Sequence, residues 1–295
     1  MKISVSSYSF QQYINAGKMT QLDCVEKAKE LGIEAIGFID LKPCENPTLE
    51  QQKEYAAQIR AKADELGMVI DAYYIASHLY YDTPEENEAE VKRVCDQLDV
   101  AKILGCEIMR HDVCYRLTKT GNGKSFDLQL PTIAENCRKI AEYGATLGIK
   151  TCAENHGYIA QDSDRMERLF NAVNHDNFGL LVDFGNFSCA DEDHITAVSR
   201  TAPYAVCVHA KDMHLYSGKD SVPGFCHQTR GGNFFRGSII GQGDVPVKQC
   251  IRIMKRAGYD GYLCIEFEGK EDCILGIEQG FATLKRYIAE VENEQ

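Results

Sequence analysis

Five times along the chain a helix-like stretch ends in Leu-Gly or Ala-Gly, and an apolar run begins at once. The junctions are Leu31-Gly32 before the run at 33–38, Leu66-Gly67 before 68–74, Leu104-Gly105 before 106–109, Leu147-Gly148 before 149–153 and Ala257-Gly258 before 259–267. A glycine just past a helix end takes the left-handed conformation that stops the helix and frees the chain to turn. The first four of these glycines lie 35, 38 and 43 positions apart, the length of one strand, one loop and one helix. The segments between them carry helix-start signals. Thr83-Pro84-Glu85-Glu86 reads as an N-cap, a first-turn proline and a capping-box glutamate; Thr48-Leu49-Glu50-Gln51 repeats the logic, and Ser163-Asp164-Arg165-Met166 opens another helix. The pattern predicts strands near 3–8, 33–39, 68–75, 106–110, 149–154, 178–183, 204–210 and 261–267. Eight strands alternating with helices predict an α/β fold, a closed (β/α)8 barrel forming a single domain over 1–295, rather than an open doubly wound sheet. A dinucleotide-binding sheet would place Gly-x-Gly-x-x-Gly after its first strand, and Ser6-Ser7-Tyr8-Ser9-Phe10 stands there instead. Two connections look long and glycine-rich, at 111–130 (with Thr120-Gly121-Asn122-Gly123-Lys124) and at 211–245. Both follow strands, which puts them on the face where barrels do their chemistry.

Composition narrows the partners. Of 295 residues, 44% are hydrophobic and 26% charged, enough for a large core and too polar for a membrane-embedded chain. The net charge of −12 argues against nucleic acid, whose phosphates need a basic face, while a small anion needs only one or two local cations. Thirteen cysteines are an odd number with no Cys-x-x-Cys. Several lie in apolar strand-like runs, which reads as reduced core residues and a cytoplasmic address. No run of 18 apolar residues and no signal-peptide core is seen, so neither a transmembrane helix nor secretion is expected.

Chemistry gathers where strands end. The fifth strand runs into Glu154-Asn155-His156, the sixth into Asp183-Phe184-Gly185-Asn186, the seventh into His209-Ala210-Lys211-Asp212 and the eighth into Glu266-Phe267-Glu268. Each ends in a charged or imidazole group that an apolar core would not choose, at the end of the barrel where consecutive strands converge on the axis. Three carboxylates held so close cannot all ionise without a cation. Glu154, Asp183, His209 and Glu266 thus predict one divalent metal ion. The oxygen-rich set suits Mn²⁺ first, then Mg²⁺, with Co²⁺ or Zn²⁺ as alternatives.

These strand ends, in this order, resemble the xylose-isomerase-like TIM barrel superfamily of sugar isomerases and epimerases. The resemblance runs from the first strand to the last helix. It is most specific at Glu154-Asn155, Val182-Asp183-Phe184-Gly185-Asn186, Val208-His209-Ala210-Lys211-Asp212, Gly241-Gln242-Gly243-Asp244 and Ile265-Glu266-Phe267-Glu268-Gly269. It implies that Glu154, Asp183, His209 and Glu266 bind the metal, and that the two glutamates shuttle protons on opposite faces of a ketose. The chain departs from the 3-epimerases twice. Asn186 stands where they carry a histidine, and Met213-His214-Leu215-Tyr216 where they carry an arginine. By the same analogy a homo-oligomer would cover the barrel mouth.

The residues permit an isomerase or epimerase of a sugar, sugar acid or sugar phosphate, working through a metal-stabilised enediolate with Glu154 and Glu266 as the acid–base pair. The rival enzyme class is a metal-dependent lyase or dehydratase acting on an inosose or a 3-keto-glycoside, with His156 as base. A third reading is a sugar-binding barrel without catalysis. Asn186, His111, Lys211 and Arg236 are the candidate substrate contacts. Arg230 is a second arginine able to clamp a phosphate or carboxylate. Arg110 and His78 are placed on the same face, Asp212 is a candidate to orient His209, and Glu268 competes with Glu266 as the eighth-strand ligand.

Overall fold

The computed structural model describes residues 1–118, 121–219, 221–222 and 224–294; Thr120, part of the expected 111–130 loop, lies outside them. The strands in chain order are β1 (Lys2–Ser6), β2 (Ala35–Ile39), β3 (Val69–Ile75), β4 (Ile108–His111), β5 (Lys150–Glu154), β6 (Phe178–Asp183), β7 (Ala205–Ala210), β8 (Asp212–Tyr216), β9 (His227–Gln228), β10 (Phe234–Ser238) and β11 (Tyr262–Ile265). The helices are α1 (Gln11–Asn15), α2 (Gln21–Glu30), α3 (Leu49–Leu66), α4 (Pro84–Leu104), α5 (Phe126–Leu147), α6 (Ser163–Val173), α7 (His194–Thr201), α8 (Val247–Arg256) and α9 (Cys273–Glu292). Strands β1–β7 and β11 close into a parallel barrel in the order β1-β11-β7-β6-β5-β4-β3-β2, with β1 and β11 joined from Lys2↔Tyr262 to Val5↔Ile265. This is the (β/α)8 barrel that the repeat predicts.

The local chemistry explains the repeat. Gly67, Gly105 and Gly148 sit at the C-caps of α3, α4 and α5 with φ of 62°, 76° and 72°. Thr48 forms a complete capping box with Gln51, and Thr83 caps α4 ahead of Pro84. For α6 the cap is Asp162, one residue before the expected start, its carboxylate accepting from the Arg165 N–H. Helix α5 buries Ile133, Cys137, Ile140 and Gly144 on one face, the spacing of an amphipathic helix against a sheet. Each such aliphatic side chain contributes about 1.5–3 kcal/mol when fully buried. Ten of the thirteen cysteines are buried and none is paired, as expected of small core residues.

Two faces of each strand do different work. A large cluster fills the space between strands and helices, while Ala72, Tyr74, Cys152, Leu181, Cys207 and Cys264 pack inside the barrel. Gly37 on β2 leaves room for Tyr74, since a Cβ there would lie 2.5 Å from the tyrosine hydroxyl. The inner layer forms the floor of the site described below.

The two glycine-rich connections contain more regular structure than loops. Residues 211–245 hold a three-stranded antiparallel sheet, β8-β10-β9, paired from Phe234↔Tyr216 to Ser238↔Asp212. Its strands are short and its glycines cluster in the turns, which masks the alternation. After β4, α5 already begins at Phe126 behind the Ser125 cap, preceded by a 3-10 turn at Gly121–Lys124. Among the described residues no helix is long and apolar enough to cross a membrane.

Candidate metal centre

Strand pleating decides which side chains reach the barrel axis, because alternate residues face opposite sides. Cys152 faces inward, and so does Glu154 two residues on; Asp183 pairs in register with His209, and His209 with Cys264, two residues before Glu266. The four predicted ligands therefore converge. One donor atom from each of Glu154, Asp183, His209 and Glu266 lies within 4.8 Å of the others, and all four residues are buried. His209 Nδ1 lies 3.5 Å from Glu154 Oε1, 3.7 Å from Asp183 Oδ2 and 3.5 Å from Glu266 Oε1. Tyr74 meets the imidazole edge-on, ring centroids 4.7 Å apart. Glu266 belongs to this group; Glu268 stands one step outside it.

The donors are held from behind and left open in front. Asp183 Oδ1 accepts the N–H groups of Gly185 and Asn186, both at 2.8 Å. Asn155 bridges β5 and β6, accepting from Asp183 N and donating to its carbonyl. Gln161 donates to the carbonyls of Asn155 and Asn186. In contrast Asp183 Oδ2 and both ring nitrogens of His209 are buried without a hydrogen-bond partner among the described residues. Buried polar atoms are rarely left so. Three carboxylates and an imidazole, with unmet donors aimed at one point, fit a divalent cation.

Two buried cations flank the glutamates. Arg110 Nε lies 2.7 Å from Glu154 Oε2, a charge contact outside hydrogen-bond alignment, and its Nη1 donates to the Ile75 carbonyl. Lys211 pairs closely with Glu266 Oε2 and lies 3.4 Å from Asp183 Oδ2, 3.2 Å from Glu268 Oε2 and 3.2 Å from Asn186 Oδ1. Asn186 in turn donates to Glu154 Oε1 at 3.0 Å. Electrostatics follow from this crowding. Burial first, then Glu266 and Glu154, outweigh Lys211 and push the Asp183 carboxyl up to about 7. Burial opposes charge on His209, yet Glu266 and Glu154 overcome it and raise its pKa well above the usual value. Burial also works against ionised Glu154 and Glu266, but Arg110 holds the first below the usual carboxylate range and Lys211 the second well below it.

The other predicted residues separate. Asn186 and Lys211 are in the centre. His156 is half exposed beside it, its Nδ1 2.8 Å from Asp112 Oδ1. Partial burial of the ring disfavours its charge, but the Asp112 carboxylate outweighs that and raises the His156 pKa to about 9. His111 is not brought to the centre. Its register partner is Ala153 on the helix side, whereas Arg110 pairs with inward-facing Cys152. It is fully buried, with Nδ1 at 2.9 Å from the Asp112 carbonyl, and burial pushes its pKa down to about 4. Arg230 is spent on Tyr158 and Asp162, tying the 227–230 segment to the loop after β5. Asp212 accepts from Gly241, Gly243, Met213 and Val245, fixing a turn rather than orienting His209. His78 is buried against Tyr81 and Tyr115. Arg236 lies on β10, beside Glu268 and outside the ligand group. The roles of Asp112, Gln161 and Tyr74 carry no motif in the sequence; only strand parity, fixed by Cys152, Leu181, Cys207 and Cys264, points to Tyr74 and Arg110.

Comparison with known proteins agrees with the barrel fold. The model of the xylose isomerase-like TIM barrel family matches residues 25–287. An inosose dehydratase of Clostridium perfringens is 24% identical over 166 residues, 55% of this chain and 54% of that protein. The chain spans about half the length of the curated relatives it matches. Two solved structures share the fold. D-psicose 3-epimerase with D-tagatose, from Clostridium cellulolyticum H10, has a TM-score of 0.72 at 15% identity, covering 98% of this chain and 99% of that one. A barrel protein of Mycobacterium smegmatis in complex with magnesium has a TM-score of 0.65 at 20% identity, covering 92% and 88%. Eight parallel strands, four converging ligand groups and a family match over nearly the whole length lead to one assignment: the chain belongs to the xylose isomerase-like TIM barrel family.

Proposed function

We propose that the chain is a divalent-metal-dependent isomerase or epimerase of a sugar, sugar acid or sugar phosphate. The observation that carries this reading is the convergence of Glu154, Asp183, His209 and Glu266 within 4.8 Å, with Asp183 Oδ2 and the His209 ring nitrogens lacking a hydrogen-bond partner among the described residues. A divalent ion held there, Mn²⁺ being our first choice, would supply a Lewis acid that acidifies a carbon-bound hydrogen next to a carbonyl. The chain supplies the proton transfers. Glu154 and Glu266 approach His209 from two different strands, each presenting Oε1 to the centre and having Oε2 pinned by a cation. One carboxylate takes the carbon-bound proton, and the other, having taken up a proton from solvent, returns it to carbon and is left ionised. Return to the opposite face epimerises; return to the adjacent carbon interconverts aldose and ketose. Asn186 and Lys211 are proposed to touch substrate hydroxyl or carbonyl oxygens at the same centre. The test is hydrogen exchange. Holoenzyme in heavy water should place deuterium on the carbon next to the carbonyl of a turned-over ketose. Glu154→Gln and Glu266→Gln should each slow this by 10²–10⁴-fold, the usual worth of a general acid or base. A sugar-binding barrel without catalysis would incorporate none.

One observation favours a second reading, a lyase or dehydratase, and relatives named inosose dehydratase accord with it. Asp112 holds His156 Nδ1 and keeps the ring half exposed beside Glu154. So paired, His156 suits a proton donor better than the base expected from sequence. A glutamate would take the carbon-bound proton, the C–O bond would break, and Nε2–H would protonate the departing hydroxyl as water. If His156→Asn abolishes turnover while Glu266→Gln does not, the two-glutamate mechanism fails.

A further inference from the structure

Beside the metal centre lies a cavity of about 310 Å³, bounded by the turn after β1, by β10 and by the segment after β11. It falls within the roughly 300–1,000 Å³ range of small-molecule sites. Glu268 stands on its wall, and Lys211 joins Glu268 to Glu266 across 3.2 Å and a close ion pair, so the cavity adjoins the ligand group. Gly237 makes that approach feasible: a Cβ there would fall 2.4 Å from the Glu268 backbone.

Two cations face this cavity with little to neutralise them. Arg236 Nε donates to the Tyr216 hydroxyl at 3.2 Å, which fixes the guanidinium plane. Its nearest carboxylate, Glu271, stands 3.8 Å from Nη1, at the outer limit of an ion pair. Four of its five N–H donors therefore make no hydrogen bond with a described residue. Lys270 lies 5.3 Å above the Phe225 ring and forms no salt bridge with a described residue. The one carboxylate on the wall, Glu268, is already matched by Lys211. In a chain of net charge −12 carboxylates are plentiful, yet among the described residues only Glu271, at 3.8 Å from Arg236, comes within ion-pair distance of either group. Phe225, Phe235 and Phe267 line the same space beside its polar groups. A planar guanidinium with free donors suits bidentate contact to a carboxylate or phosphate. The place, between the segments following the seventh and eighth barrel strands, is where barrels frequently hold such groups.

We infer that this cavity is a subsite for an anionic group, carboxylate or phosphate, at the far end of the substrate, held by Arg236 and Lys270. The inference rests on the sugar-converting reading above and narrows it to acidic or phosphorylated substrates. Glycerol, glycerate and glycerol 3-phosphate share a polyol stem and differ in the terminal group. Their binding to the metal-loaded protein can be followed by ligand-observed NMR titration. The two anions should bind at least tenfold tighter than glycerol, and the stronger of them identifies the group. Arg236→Met and Lys270→Met should each remove most of that advantage while leaving Mn²⁺ affinity, measured by electron spin resonance, unchanged. Equal binding of the three compounds, or a preference that survives both substitutions, overturns the subsite. Loss of Mn²⁺ binding in the unsubstituted protein would instead overturn the metal centre, so the two failures are distinguishable.

Discussion

Lys211 and Arg110 shape the centre as much as the ligands do. Without metal, three carboxylates share a buried space with one imidazole, and these two cations supply the balancing charge. Removing one partner of a buried ion pair costs roughly 3–5 kcal/mol. Lys211→Met should therefore lower the unfolding free energy of the metal-free protein by about that amount, and added Mn²⁺ should restore a large part of it. Denaturant titrations with and without metal check this. Metal binding has its own pH dependence. Asp183 titrates near 7 and His209 holds its proton above the usual imidazole value, so both must release protons to coordinate. Mn²⁺ affinity should rise as pH climbs through 7, with proton release visible calorimetrically in buffers of different ionisation enthalpy; a flat profile would contradict it. His111 gives the opposite kind of handle. Its folded pKa of about 4 lies below the ordinary 6.5, so acid protonates the unfolded chain first. The resulting destabilisation begins as pH falls below 6.5, grows until about 4 and reaches roughly 2–3 kcal/mol. His111→Gln should remove that share of the acid sensitivity, measured as the change in Tm between pH 7 and 4.5.

At the scale of elements, five of the eight barrel strands were legible because each begins where a glycine ends a helix, and the last four because each runs into a charged or imidazole group. Gly67, Gly105 and Gly148 have positive φ for that reason. The four-residue cluster was legible because one strand end contributes each member. Less was legible where regular structure is short or parity matters. The alternation of Met213-His214-Leu215-Tyr216 and Phe234-Phe235-Arg236 is only two turns of the pleat long, and the glycines around it read as loop. His111 was misplaced by one residue of parity; Cys152 on the neighbouring strand sets Arg110 inward instead. The β8-β10-β9 sheet now has a definite task, since it carries Arg236 to the segment after β11. Gly237→Ala should force β10 from the Glu268 backbone, costing about 1–3 kcal/mol and weakening anion binding at Arg236 without changing the ligand group. Thermal unfolding and the anion titration report the two effects separately.

For the whole molecule, the barrel brings groups from distant parts of the chain to one face, and the account depends on their acting as one metal centre. Helices and outer strand faces make the scaffold, the inner apolar layer makes the floor, and the irregular connections make the walls. The most direct measurement is an anomalous difference map from a crystal grown with Mn²⁺. The account predicts a single strong peak at ligand distance from Glu154 Oε1, Asp183 Oδ2, His209 Nδ1 and Glu266 Oε1, absent in Asp183→Asn. No peak among these four atoms, or an equal peak there in Asp183→Asn, would contradict it.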